Sequence, residues 1–140
     1  MADPLSITAS IVAMLQAAGA IARGIGTIRS AAWASKEVAL LRRDVDDLVN
    51  TMSILQSHLE RRPHLNRDVA RMLESKLLQA KAIVEELHNM VTIRLIRTAT
   101  GRVKKSSYMW ADLSGDIKRQ RQNLTSVMNS LSFVSILGLL

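Results

Sequence analysis

Residues 38–59 read VALLRRDVDDLVNTMSILQSHL, and their apolar positions decide the fold. Val38, Leu41, Val45, Leu48, Met52, Leu55 and Leu59 alternate steps of three and four without a miss. A mean step near 3.5 residues holds these side chains on one side of a helix, with charged residues on the other. No stretch of the chain alternates with a period of two over a strand's length, so strands are not expected.

Working outward, the same spacing recurs. Residues 70–91 carry Ala70, Leu73, Leu77, Ala80, Val84, Leu87 and Val91. Towards the C-terminus come Trp110, Leu113, Ile117, Leu124, Val127, Leu131 and Val134, with Gln120 as the one polar position. Before residue 38 the stripe is Ile7, Ile11, Met14, Ala18, Ile21, Ile25, Ile28 and Ala32. Breakers fall between these tracts: Pro63, and residues 98–107 around Gly101. The expectation is four helices over about 4–32, 35–62, 66–97 and 108–137.

Start signals agree. Asp3-Pro4 supplies an N-cap oxygen and a preset φ. Ser35 with Glu37 in the first turn makes a second start, and Asn66 is a capable cap for the third helix. Either Ser107 or Ser114 could open the fourth, since Gly115 inside a helix costs about 1 kcal/mol. Short connections between long helices predict an all-α, up-down bundle of four helices filling residues 1–140 as one domain.

Composition fits. Of 140 residues 48% are hydrophobic and 3% aromatic, with no cysteine, two prolines and six glycines. That excludes a disulfide scaffold and a thiolate metal site, and is too poor in turn residues for a β-sandwich. A net charge of +7 favours an anionic partner surface, and 22% charged residues argue against disorder.

The first helix is unlike the others. Residues 4–22 hold no charged side chain. Nineteen residues make a helix of about 28 Å, close to a bilayer's hydrocarbon thickness. Leu5, Val12, Leu15 and Ala22 lie off the stripe, so the helix is apolar around much of its circumference and is either a central core helix or one with a second, membrane-associated state. Ala18, Ala22, Gly26 and Ser30 recur at intervals of four, a spacing that permits close helix packing in a membrane or a tight bundle. Ser6, Thr8, Ser10 and Gln16 dilute the hydrophobicity, which makes the span marginal. A secretory signal is excluded because Asp3 stands where basic residues belong. Residues 131–140, LSFVSILGLL, are expected to dock on the first helix or to lead into more protein.

Residues 92–122 carry eight basic side chains against Asp112 and Asp116, a net +6. Six of its residues are the expected contacts to anionic lipid: Arg94, Arg97, Arg102, Lys104, Lys105 and the aromatic Trp110. A polybasic cluster gains about 1 kcal/mol per Lys or Arg at an anionic leaflet, and aromatic rings suit headgroup level. Nothing matches a helix-turn-helix, zinc finger or RNA-recognition motif, so nucleic acid is not the expected partner. Nor is catalysis expected: there is no phosphate-cradling glycine loop, HExxH, GxSxG or cysteine. His58, His64 and His88 stand apart, and no metal or cofactor site is expected.

The opening Met1-Ala2-Asp3-Pro4-Leu5-Ser6-Ile7-Thr8-Ala9-Ser10, continuing to Gln16, resembles the start of fungal STAND and NACHT-type (NLR-like) immune-receptor proteins, whose N-terminal domain is called HeLo-like. Lys104-Lys105, Trp110-Ala111 and IKRQRQNLTSVMNSL at 117–131 resemble that family's last helix. The resemblance implies a bundle similar to that of the mixed-lineage kinase-domain-like necroptosis effector. It implies programmed cell death in heterokaryon incompatibility and innate immunity. Such domains rest in the cytoplasm under a C-terminal regulatory region or partner receptor. They homo-oligomerise on activation, and the first helix then leaves its groove and permeabilises the plasma membrane. Carried over position by position, the membrane-acting residues are Leu5, Ile7, Ile11, Val12, Leu15 and Ile21. A non-lytic homotypic signalling bundle is the alternative.

Overall fold

The structure, a computed structural model, describes residues 4–27, 35–61, 66–95 and 107–139, with side chains over 6–26, 36–61, 66–93 and 114–133. Among the described residues the elements are four long helices and a single π-helical turn. They are α1 (Pro4–Thr27), α2 (Ser35–Arg61), α3 (Arg67–Asn89, prolonged by the π turn Met90–Leu95) and α4 (Ser107–Leu139). The all-α bundle read from the sequence is the observed architecture.

Local chemistry sets these bounds. α1 opens on Pro4, whose missing N–H is no loss in a first turn. The Asn66 side chain accepts a hydrogen bond from the Asp68 backbone N–H at 2.8 Å, while its carbonyl accepts from Ala70 N–H at 2.9 Å. That is the expected N-cap. α4 starts at Ser107, so Ser114 opens nothing and Gly115 is interior to the helix. A Cβ at Gly115 would meet no neighbour within 4 Å, so packing does not demand a glycine there.

The π turn was not foreseen. Val91, Thr92 and Ile93 are three β-branched residues in a row, a poor α-helical tract. The Thr92 hydroxyl donates to the His88 carbonyl at 2.8 Å, back-bonding that loosens the α ladder. The wider turn brings consecutive residues, Met90 and Val91, into the core together.

Every stripe read from the spacing lines the core wherever its side chains are described, except for half-buried Leu59, Gln120 and Val127. What the stripes do not specify is which helix neighbours which. α1 packs on α2 and α3, and α4 packs on α3 and α2, so α1 and α4 stand at opposite corners of a square, as do α2 and α3. The five residues between Arg61 and Arg67 reach about 17 Å when extended. The diagonal of a square with 10 Å sides is about 14 Å, within that reach. Arg121 of α4 bonds both Glu37 and Asp44 of α2, and the cleft further along is lined by Asp44, Asp47, Leu124, Thr125 and Met128. Advancing along α2 therefore advances along α4: the two are parallel neighbours, as an alternating bundle with one diagonal step requires. Of the 131–140 tail, expected to dock on α1 or to lead into more protein, only the side chains of 131–133 are described, and the rest of that expectation lies outside the described side chains. Buried Leu131 belongs to a helix packed on α2 and α3, with α1 across the diagonal.

Candidate functional site

α1 divides its apolar residues between two environments. Ile7, Ile11 and Ile21 are fully buried, together with Met14 and Ala18. Leu15 is half-buried against the core, and Val12 is 39% exposed on the outer face. Of Leu5 only the helical backbone is described. The span Ser6–Gly26 is long and apolar enough to cross a membrane by length and composition, with mean hydropathy 1.3 and 33% of it buried. Two-thirds of the span thus lies outside the buried class, and between residues 6 and 22 that outer part is built wholly of uncharged side chains.

The row of small residues is split by the bundle. Ala18 is buried, Ala22 half-buried and Gly26 exposed, while Ser30 lies outside the described residues. Steps of four advance 400°, so the row winds around the helix and away from the core. A Cβ at Gly26 would meet nothing within 4 Å. Inside one bundle, close packing uses Ala18 and makes no demand on Gly26.

Of the expected lipid contacts, Arg97, Arg102, Lys104 and Lys105 lie outside the described residues, and Arg94 and Trp110 are described by helical backbone alone. The topology nevertheless assigns an end. α1 touches the π turn that closes α3, and residues 28–34 join α1 to the start of α2. The C-terminal end of α1, the end of α3 and the start of α4 therefore share one end of the bundle. α2 carries four basic and five acidic side chains and α3 four of each, so their charges nearly cancel. Nearly all the net charge of +7 comes from Arg23, Arg29 and residues 92–122; of these, Arg23, Arg94 and the basic residues of α4 belong to elements that meet at this end, while Arg29 and residues 96–106 lie outside the described residues. Exposed Arg23 is an addition that a count over 92–122 alone misses.

Arg121 departs from the sequence reading, which grouped it with the basic cluster. Its Nε donates to Asp44 Oδ2 at 2.7 Å and its Nη1 to Glu37 Oε2 at 3.1 Å. The three side chains are 14%, 13% and 19% exposed. One guanidinium thus serves two carboxylates across the α2–α4 seam, a fork geometry lysine cannot supply. Arg119 likewise is held by Asp116 at 3.0 Å, at the surface. The seam had a signal in the sequence: Glu37 and Asp44 are seven residues apart, each just before a core residue, Val38 and Val45. Two turns of helix place them on the same flank.

The cleft beside this network measures about 120 Å³, below the volume of ordinary ligand pockets. No group of three His, Asp or Glu side chains among the described residues is placed to hold a metal. Compared with protein-family models, with curated proteins and with solved structures, the chain finds no match.

Proposed function

We propose that this chain is a HeLo-like, membrane-acting effector domain without enzymatic activity. It oligomerises, releases α1 and permeabilises the plasma membrane to cause cell death. The observation that carries the reading is α1 itself: a span-length helix, Ser6–Gly26, with no charge in the span before Arg23, occupying a corner of the bundle where it packs on α2 and α3. Between residues 6 and 22 it has no charged side chain, so that stretch is held there without ion pairs.

Magnitudes constrain the order of events. Five large side chains of α1 (Ile7, Ile11, Met14, Ile21 and Ile25) are at most 4% exposed. At about 1.5–3 kcal/mol each, exposing them to water costs roughly 8–15 kcal/mol as an upper figure. That equals the stability of a whole domain, about 5–15 kcal/mol. Release into water is therefore negligible. Release into lipid returns most of the apolar transfer energy, so α1 leaves its groove only where hydrocarbon or another copy receives it. The link at 28–34 ties α1 to α2 at the basic end, so a released α1 pivots from the end that attracts anionic headgroups.

The test is dye leakage from phosphatidylserine-containing vesicles. Leakage is expected from the wild type at high protein-to-lipid ratio and a loss of at least about tenfold with Val12→Glu, because a charge in the span costs about 3 kcal/mol. Leu15→Glu is the poorer probe, since Leu15 also packs on the core. Full leakage by Val12→Glu, or none by the wild type at any ratio, contradicts the proposal. The burial of the described α1 stripe, Ile7 to Ile25, favours the second reading, a signalling bundle that self-associates while α1 stays packed; such a protein would not co-sediment with phosphatidylserine vesicles.

A further inference from the structure

Arg23 is the one charged residue inside the Ser6–Gly26 span. By helical register it stands on the outer face of α1, in the column of Val12, Gln16 and Gly19. It is exposed and has no ion-pair partner among the described residues, whereas Arg42, Arg119 and Arg121 each hold a carboxylate. Its guanidinium is laid back along the helix. Nη1 lies 3.5 Å from the place a Cβ on Gly19 would take, so the side chain turns towards the N-terminus, the direction in which Cα–Cβ bonds tilt. The position of this charge sets a length. The uncharged run ahead of it, residues 4–22, measures about 28 Å as a helix, against about 30 Å for a bilayer's hydrocarbon. With Arg23 removed the run would continue to Ile28, just before Arg29, and its 25 residues would make about 38 Å if helical. Arg23 thus trims a stretch that would overshoot the hydrocarbon to one that matches it.

We infer that Arg23 is the depth stop of α1: the released helix enters the bilayer by its N-terminal end, and Arg23 halts it by binding the phosphate groups of the lipid headgroups. The C-terminal end of α1 is tied to α2 through residues 28–34 and lies at the basic end of the bundle, so the opposite end is the one that moves inward. A guanidinium in hydrocarbon is costly, and its long stem lets it reach back to headgroup level. The planar fork of arginine matches phosphate oxygens two at a time and keeps its charge. In the resting bundle this guanidinium lies over the Gly19 turn, which enters hydrocarbon with the rest of the span. The side chain therefore swings from the N-terminal to the C-terminal side of its own Cα as the helix goes in, and glycine offers it no side chain to hold it in the resting position. A helix stopped in this way crosses the hydrocarbon instead of lying in the plane of the interface.

The depth stop rests on the proposed entry of α1 into lipid, and the two fail in different ways. Nitroxides are placed singly on the 140-residue chain at Val12→Cys and at Gly26→Cys, both exposed positions. Their depths are read by power saturation, with oxygen and a water-soluble nickel chelate, on vesicles of phosphatidylcholine and phosphatidylserine. With Arg23 in place, the label at 12 should lie in hydrocarbon and the label at 26 at headgroup level. Arg23→Leu should carry the label at 26 inward by up to about 9 Å, the rise over the six residues to Arg29. Arg23→Lys, whose cation also reaches headgroups, should leave it in place. Circular dichroism confirms that each variant is folded, and Arg23→Gln replaces Arg23→Leu if it is not. A label at 26 that keeps its depth in the neutral variant overturns the depth stop while the entry of α1 stands. Equal depths at 12 and 26, the mark of a helix lying in the interface, overturn it too. A label at 12 that stays in water on vesicles removes the entry of α1 and the stop with it.

Discussion

α1 and the α2–α4 seam are two ways of holding a helix in the same bundle. α1 is attached chiefly by burial: six of its residues, Ile7 to Ile25 along the stripe, reach the core, and none between 6 and 22 can form an ion pair. The seam is attached by burial and by a directional network, one guanidinium bridging two carboxylates on the neighbouring helix. Apolar burial has no preferred partner and is returned by any non-aqueous medium. A forked ion pair is specific to its carboxylates and is lost if they are left behind. The difference makes α1 the separable corner. Without it, α4 still contacts both α3 and α2, so three helices remain a connected body.

Removing buried volume from α1 should produce the largest loss of stability. Ile11→Ala should cost about 3 kcal/mol in urea or guanidinium unfolding, the usual range for such a truncation being about 2–5 kcal/mol. A cost below about 1 kcal/mol would mean that α1 is loosely held, and the contrast with the seam would need restating. Next comes the seam. Arg121→Ala should cost about 2–3 kcal/mol, because it strands two carboxylates that are mostly buried. Arg121→Lys should recover only part of this, one point charge replacing a fork. The two substitutions then separate by function: the seam variant keeps vesicle leakage per folded molecule, whereas an α1 charge variant loses it.

Surface changes on α1 should be nearly silent in stability. Val12→Glu should lie within about 0.5 kcal/mol of wild type while removing leakage. A Val12→Glu protein that unfolds would show the outer face of α1 to be more deeply packed than its 39% exposure indicates. Gly26→Ala is the smallest effect. With open space around a new Cβ it should stabilise by about 0.5 kcal/mol, read as a raised unfolding midpoint. A destabilisation there would mean that Gly26 is needed for packing within the resting bundle.

Much of this contrast was legible in the sequence, and what was not has physical reasons. Helix count, core stripes and the Asn66 cap follow from periodicity and local hydrogen bonding, which act within a few residues. The neighbour order around the square does not, because a stripe facing the centre is satisfied by either circular order. That is why periodicity alone could not say that α4 as a whole packs on α2 and α3. The π turn at Met90–Leu95 escaped because the spacing from Ala70 runs unbroken to Val91, just inside its start. Arg121 was counted within the basic run of 92–122, since charge counting along a chain cannot tell a cation facing water from one facing Glu37 and Asp44 across the seam.

The chain contains no cysteine, so pairs of spin labels can be placed at will. Val12→Cys with Ser53→Cys spans α1 to α2, and Ser53→Cys with Gln122→Cys spans α2 to α4; all three positions are exposed. Electron–electron distances are recorded in solution and with phosphatidylserine vesicles. Separation of α1 predicts that the first distance distribution shifts on vesicles while the second stays where it was. A first pair that keeps its solution distance on leaking vesicles, or two pairs that shift together, contradicts it.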